Sequence, residues 1–67
     1  MGYLIDGVYY PETGERVRHK AMGWRGVYLD TVTANKSRRH YRVRRDDGRV
    51  VITLDSDWLA DDEQQPA

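Results

Sequence analysis

The chain has no cysteine, which excludes disulfides and thiolate metal sites and agrees with a reducing compartment. It has no apolar run approaching the ~20 residues of a membrane-spanning helix, and no basic start followed by a long apolar stretch that would mark a secretory signal. These absences lead to the expectation of a soluble, cytoplasmic protein without a membrane partner. Catalytic signatures are scarce as well. His19 and His40 are the only histidines, and no ligand spacing joins them to a carboxylate such as Asp30 or Asp55. Ser37 and Ser56 sit in no nucleophile elbow. Gly23-x-x-Gly26 lacks the Lys-Ser/Thr and the following helix of a phosphate loop. The expectation is a protein that is not an enzyme and needs no metal or other cofactor.

What the chain does have is segregated charge. All eleven Lys and Arg residues lie between Arg16 and Arg49, where only Asp30, Asp46 and Asp47 oppose them, a balance of plus eight inside a chain of formal charge zero. Acidic residues dominate both flanks. Such a basic middle fits an acidic partner, of which nucleic acid is the commonest, DNA ahead of RNA. At 67 residues a single domain buries only roughly 60% of the surface its unfolded chain exposes, so the core is small and aromatics must fill much of it. A dimer contact could supplement that core, which makes a homodimer one of the outcomes the composition allows. The domain is expected over residues 1–60, with residues 61–67 an acidic, disordered tail.

Period-two alternation recurs along the chain and helical spacing does not, so the fold class expected is all-β. Tyr41 and Val43 alternate with His40, Arg42 and Arg44, and Val50, Ile52 and Leu54 follow Asp47-Gly48. A two-residue Asp-Gly turn would set Val43 opposite Ile52, Tyr41 opposite Leu54, Asp46 opposite Arg49 and His40 opposite Asp55. That register predicts Tyr41, Val43, Ile52 and Leu54 in the core. Further strands are expected over 24–32, with Val27 and Leu29 on one face and Tyr28 on the other, and over 15–20 around Val17. A hairpin about Asp6-Gly7 is expected at the start. Gly23 and Gly26 suit a bulge or close backbone approach, residues 34–39 a polar connection, and Asp55-Ser56-Asp57 a capped short helical turn before Trp58 and Leu59, which would close one end. About five short strands with a short helical turn near the C-terminus amount to a small SH3-like barrel.

The run Gly14-Glu15-Arg16-Val17-Arg18-His19, then Met22-Gly23-Trp24-Arg25-Gly26-Val27, Asp30, Tyr41-Arg42-Val43 and Asp46-Asp47-Gly48 resembles the hemimethylated DNA-binding, HspQ-like family over residues 14–59. The resemblance implies an SH3-like barrel and a non-enzymatic accessory protein that binds DNA or modulates proteolysis. Two features depart from the family pattern: Arg42 stands where the family has histidine, and a short basic segment replaces its long acidic insertion.

Two readings of the arginines follow. In the first, Arg38, Arg39, Arg42 and Arg44 form a phosphate-tracking face and loop, with Trp24, Arg25 and Tyr28 as a stacking platform beside them. In the second, the arginines are a solvated face balanced by nearby carboxylates and the aromatics are core, the chain being an adaptor or regulator that docks an acidic protein or a copy of itself. Tyr3, Tyr9 and Tyr10 offer an aromatic edge for such a contact.

Overall fold

A computed structural model describes residues 2–34 and 38–61. Seven strands and one 3-10 turn follow in order: β1 (Tyr3–Ile5), β2 (Val8–Tyr10), β3 (Arg16–His19), β4 (Arg25–Ala34), β5 (Arg38–Arg45), β6 (Val50–Leu54), the turn Asp55–Asp57 and β7 (Trp58–Ala60). The pair β1-β2 stands by itself, and the others form one antiparallel sheet in the order β6-β5-β4-β3-β7. A meander whose last strand returns beside its first, with a 3-10 turn before that return, is a small SH3-like barrel.

The first hairpin is built as its sequence dictates. Asp6 and Gly7 both take positive φ (53° and 81°), the type I′ geometry whose twist matches the flanking strands, and Ile5 pairs with Val8, Leu4 with Tyr9 and Tyr3 with Tyr10. The hairpin is tied to the barrel through Tyr9, which is buried. The Tyr9 carbonyl accepts a bond from the Tyr41 hydroxyl at 2.7 Å, and the Tyr9 hydroxyl donates to Glu15 Oε2.

The second hairpin departs from the expected register. Its loop has three residues, Asp46-Asp47-Gly48, because the Arg45 N–H bonds the Arg49 carbonyl (2.7 Å) and the Gly48 N–H bonds the Arg45 carbonyl (2.8 Å). Only Gly48 takes positive φ, at 93°, so the loop is a type I turn closed by a glycine bulge and not a two-residue type I′ turn. Val43 therefore faces Val51, Arg42 faces Ile52, Tyr41 faces Thr53 and His40 faces Leu54. A one-residue slip moves every side chain of the second strand to the other face. Ile52, expected in the core, is 54% exposed and Val50 51%, while Val51 packs on the core instead. Neither expected pairing, Asp46 with Arg49 or His40 with Asp55, forms.

Of the two readings of the aromatics, strand β4 follows the one that puts Tyr28 in the core. Tyr28 is buried and Val27 lies outward in the row Arg16, Val27, Arg44. A bulge interrupts the β4-β5 register between Tyr28 and Asp30, so Leu29 has no opposite residue and the strand bends there. The polar connection is shorter than expected, since β4 runs to Ala34 and β5 begins at Arg38. Arg38 and Arg39 are therefore strand residues, and residues 35–37 lie outside the described residues.

The core comprises Tyr9, Val17, Tyr28, Tyr41, Val43 and Trp58, with His19 the one buried polar residue among those described. Trp58 is fully buried in this core, and its indole N–H donates to Thr53 Oγ1 at 2.8 Å. The turn before it has no side-chain cap; its C-terminal bond runs from the Trp58 N–H to the Asp55 carbonyl. Asp61 belongs with the barrel: its N–H bonds the Arg16 carbonyl at 3.1 Å. The remainder of the expected tail, 62–67, lies outside the described residues.

Two outcomes follow. A Cβ at Gly26 would overlap the Arg44 carbonyl oxygen and stand 2.7 Å from Arg45 Cα, backbone that has nowhere to go, so Gly26→Ala should lower unfolding free energy by about 3 kcal/mol. Gly48→Ala meets open space and should cost only the left-handed backbone penalty of about 1–2 kcal/mol. Urea titrations of both check this, and equal stability of Gly26→Ala and the parent would refute the close approach. Separately, burial pushes the Tyr9 and Tyr41 phenols up to about 12, the bond to Glu15 adding to the effect at Tyr9. The native state then holds protons that the unfolded chain releases near pH ~10, so the stability contributed by these phenols is intact below about pH 10 and is lost as pH rises toward about 12. The urea midpoint should fall across that window along with a late rise in phenolate absorbance.

Candidate nucleic-acid interface

Strand alternation sorts the arginines onto two faces. With Val17, Tyr28, Tyr41 and Val43 pointing inward, the registers place Arg16, Arg18, Arg25, Arg38, His40, Arg42 and Arg44 on the outer face of the large sheet. Arg39 and Arg45 fall on the inner side of β5. The four arginines expected to act together are thus divided. Arg42 is held by Asp30 through two bonds, Nε at 2.9 Å and NH2 at 2.6 Å, and its pKa rises further because of that carboxylate. Arg39 lies 4.7 Å over the Tyr10 ring and 3.6 Å from Asp55. Arg38, opposite Ala34, and Arg44, opposite Val27 and Val50, are exposed, and neither has a carboxylate within ion-pair distance among the described residues.

The stacking platform is divided too. Tyr28 is in the core, edge-on to Tyr41 with centroids 5.1 Å apart, and its hydroxyl is bonded to Thr31 Oγ1 at 2.6 Å. It cannot meet a base. Trp24 is half-buried ahead of β4, tilted against His19 at 5.0 Å, and the Arg45 guanidinium lies 4.7 Å over its ring. Trp24, Arg25 and Arg45 line an open cleft of about 240 Å³ with Gly23, Asp46 and Asp47, between the β3-β4 turn and the β5-β6 loop. The turn is organised by His19, whose Nδ1 accepts the N–H groups of Ala21 (3.2 Å) and Met22 (3.0 Å). That leaves the ring proton on Nε2, which faces Asp57 Oδ2 at 3.6 Å.

Arg16 and Arg18 were not singled out by sequence, although their alternation about Val17 was visible; what was missing was the register that aims them. Arg18 lies directly opposite Arg25, a like-charge pair whose Cβ atoms are about 4.5–5.5 Å apart in such a position and which is destabilising. Arg44 is the next outward residue across from Arg25, at the diagonal position, about 7–8 Å away. Carboxylates answer the neighbours. Asp46 takes two bonds from Arg16, at 3.1 and 2.9 Å, and its pKa is lowered by them. Asp61, its side chain only 5% exposed, lies 3.6 Å from Arg16 Nε and 3.7 Å from Arg25 Nε. Arg18 has no such carboxylate among the described residues. The face therefore carries a row of guanidinium groups, Arg18, Arg25 and Arg44, with one partly buried acid beneath one side. Such a row can accept several anionic oxygens at spacings of a few ångströms.

No family model, curated protein or solved structure matches this chain.

The opposed pair predicts its own relief. Arg18→Gln should raise unfolding free energy by about 0.5 kcal/mol at low ionic strength, and the gain should shrink as salt screens the repulsion. Thermal melts at two salt concentrations measure it, and a loss of stability in the variant would show that the pair is not under strain.

Proposed function

We propose that this protein is a nucleic-acid-binding module, with DNA as its ligand, that contacts phosphates through Arg18, Arg25 and Arg44 and meets an adjoining base at Trp24. The observation that carries this reading is the direct opposition of Arg18 and Arg25 on an exposed sheet face. Asp61 answers the Arg25 side of that pair, at 3.7 Å, and leaves Arg18 unanswered, so a bound phosphate would convert the remaining repulsion into shared attraction. Arg38, on the same face toward the start of β5, extends the basic track. Arg42 contributes less, because binding a phosphate means competing with Asp30. The resemblance to the hemimethylated DNA-binding family, which spans Gly14-Glu15-Arg16-Val17-Arg18-His19 and the Trp24-Arg25 segment, supports the choice of DNA.

Titration of labelled duplex and single-stranded DNA at several salt concentrations tests the reading. Three phosphate contacts should give a log-log salt slope of about −2 to −3, and Arg18→Gln or Arg44→Gln should each reduce it by about one. Tryptophan emission should be quenched on binding in the parent and not in Trp24→Phe, since Trp58 is sealed in the core. No binding at low salt, or binding indifferent to salt, would refute the proposal.

A further inference from the structure

Among the described residues the far edge of β6 is open: the sheet order ends there, with β5 as its one hydrogen-bonded neighbour. The strand reads Val50-Val51-Ile52-Thr53-Leu54, with no charge, proline or bulge, the devices by which exposed edges are usually protected from pairing. The opposite edge, β7, has only three residues and runs directly into Asp61. On β6 the exposed apolar side chains Val50 and Ile52 accompany the open edge.

The backbone phase of that edge is set by the loop. Arg45 and Arg49 share a hydrogen bond, and in an antiparallel ladder hydrogen-bonded and non-bonded pairs alternate. Val51 and Thr53 therefore turn their backbone groups toward β5, while Val50, Ile52 and Leu54 turn theirs outward. Antiparallel pairing of this edge with itself, centred on Ile52, sets Ile52 against Ile52 and Val50 against Leu54 of the second copy. Every one of these is an outward-facing residue meeting another. The same register carries Arg49, the residue before β6, toward Asp55 of the second copy, the residue after it, at both ends; these charges are opposite, and Asp55, 3.6 Å from Arg39 of its own chain, would be shared between the two arginines. Val50, Ile52 and Leu54 lie on one face of β6, so the two sets would join into a single apolar strip across the seam.

We propose that the protein self-associates through β6, two copies joining edge to edge about a two-fold axis at Ile52 into one continuous sheet. The occupant is a second copy because centring, hydrogen-bond phase and end charges all complement themselves in one register. A five-residue edge buries less than the about 800 Å² per partner of a standard interface, so the dimer is concentration-dependent. The contact is independent of Arg18, Arg25 and Trp24.

Sedimentation velocity of the full chain over a range of concentrations tests it without nucleic acid. The parent should show a reversible monomer–dimer equilibrium. Ile52→Lys, at an exposed position, should weaken it about tenfold or more by setting two like charges against each other, with an unchanged melting curve. Leu4→Lys, on the open β1 edge of the small hairpin, should leave it intact. Arg49→Asp and Asp55→Lys should each be monomeric alone, and an equimolar mixture of the two should recover a dimer, since each end then pairs opposite charges. A parent that stays monomeric at the highest soluble concentration leaves the edge for some other strand and overturns the proposal. So does a dimer that survives Ile52→Lys or is lost only in Leu4→Lys.

Discussion

The structure depends on burying one indole. Trp58 is the largest fully buried side chain of the described residues, and in a domain of this size removing it would cost about 3–5 kcal/mol, a large part of the ~5–15 kcal/mol a folded domain has in total. Its position dictates much else. The chain leaves β6, makes a single 3-10 turn and returns beside β3 so that Trp58 lies across from His19. Thr53 must then face inward to satisfy the indole N–H. The His19 ring fills the gap between the two tryptophans, edge-on to Trp58 at 4.9 Å and tilted on Trp24 at 5.0 Å, and its nitrogen in turn orders the turn that delivers Trp24 to the surface cleft. The candidate base contact and the core are thus two ends of one aromatic row.

The outer face follows from the inner one. Once Val17, Tyr28, Tyr41 and Val43 point inward, alternation sends their neighbours outward, and in β3 and β5 those neighbours are mostly arginines. The fold answers several of them locally, Arg42 with Asp30 and Arg16 with Asp46. Exposed pairs of this kind add little net stability, though a phosphate must still displace the carboxylate to use either arginine. Asp61 differs, since it is nearly buried between Arg16 and Arg25 and would act as a fixed counter-charge. The net field of the face is set by those arginines that no carboxylate meets, and the formal charge of the chain says little about it.

Much of the fold was legible in the sequence. Alternation identifies the all-β class and Asp6-Gly7 the first hairpin; of Gly23 and Gly26, both suited to a bulge or a close backbone approach, Gly26 is where backbones come close. The candidate site was less legible, for a definite reason. Asp46-Asp47-Gly48 contains an Asp-Gly pair, but a preceding aspartate lets the chain take a type I turn with the glycine as bulge, and the two loops differ by one residue. That single residue moved Ile52 outward and removed the pairings expected of His40 and Arg49. Tyr28 and Val27 were likewise interchangeable by pattern, because both are apolar enough for either face. Arg18 became visible only when β3 was aligned on β4, a long-range pairing that no local pattern specifies.

The same loop connects the two surfaces. With a two-residue turn, Ile52 would have lain under the sheet and the outward row of β6 would have been Val51 and Thr53, a weaker apolar strip. The glycine bulge instead places Ile52 beside Arg42 and Val50 beside Arg44, so an apolar column runs along the free edge next to a basic column one strand inward. Edge pairing uses backbone groups and the apolar column; phosphate binding uses guanidinium groups farther into the sheet. The two demands fall on different strands, and one sheet can meet both because alternation gives each strand its own outward chemistry.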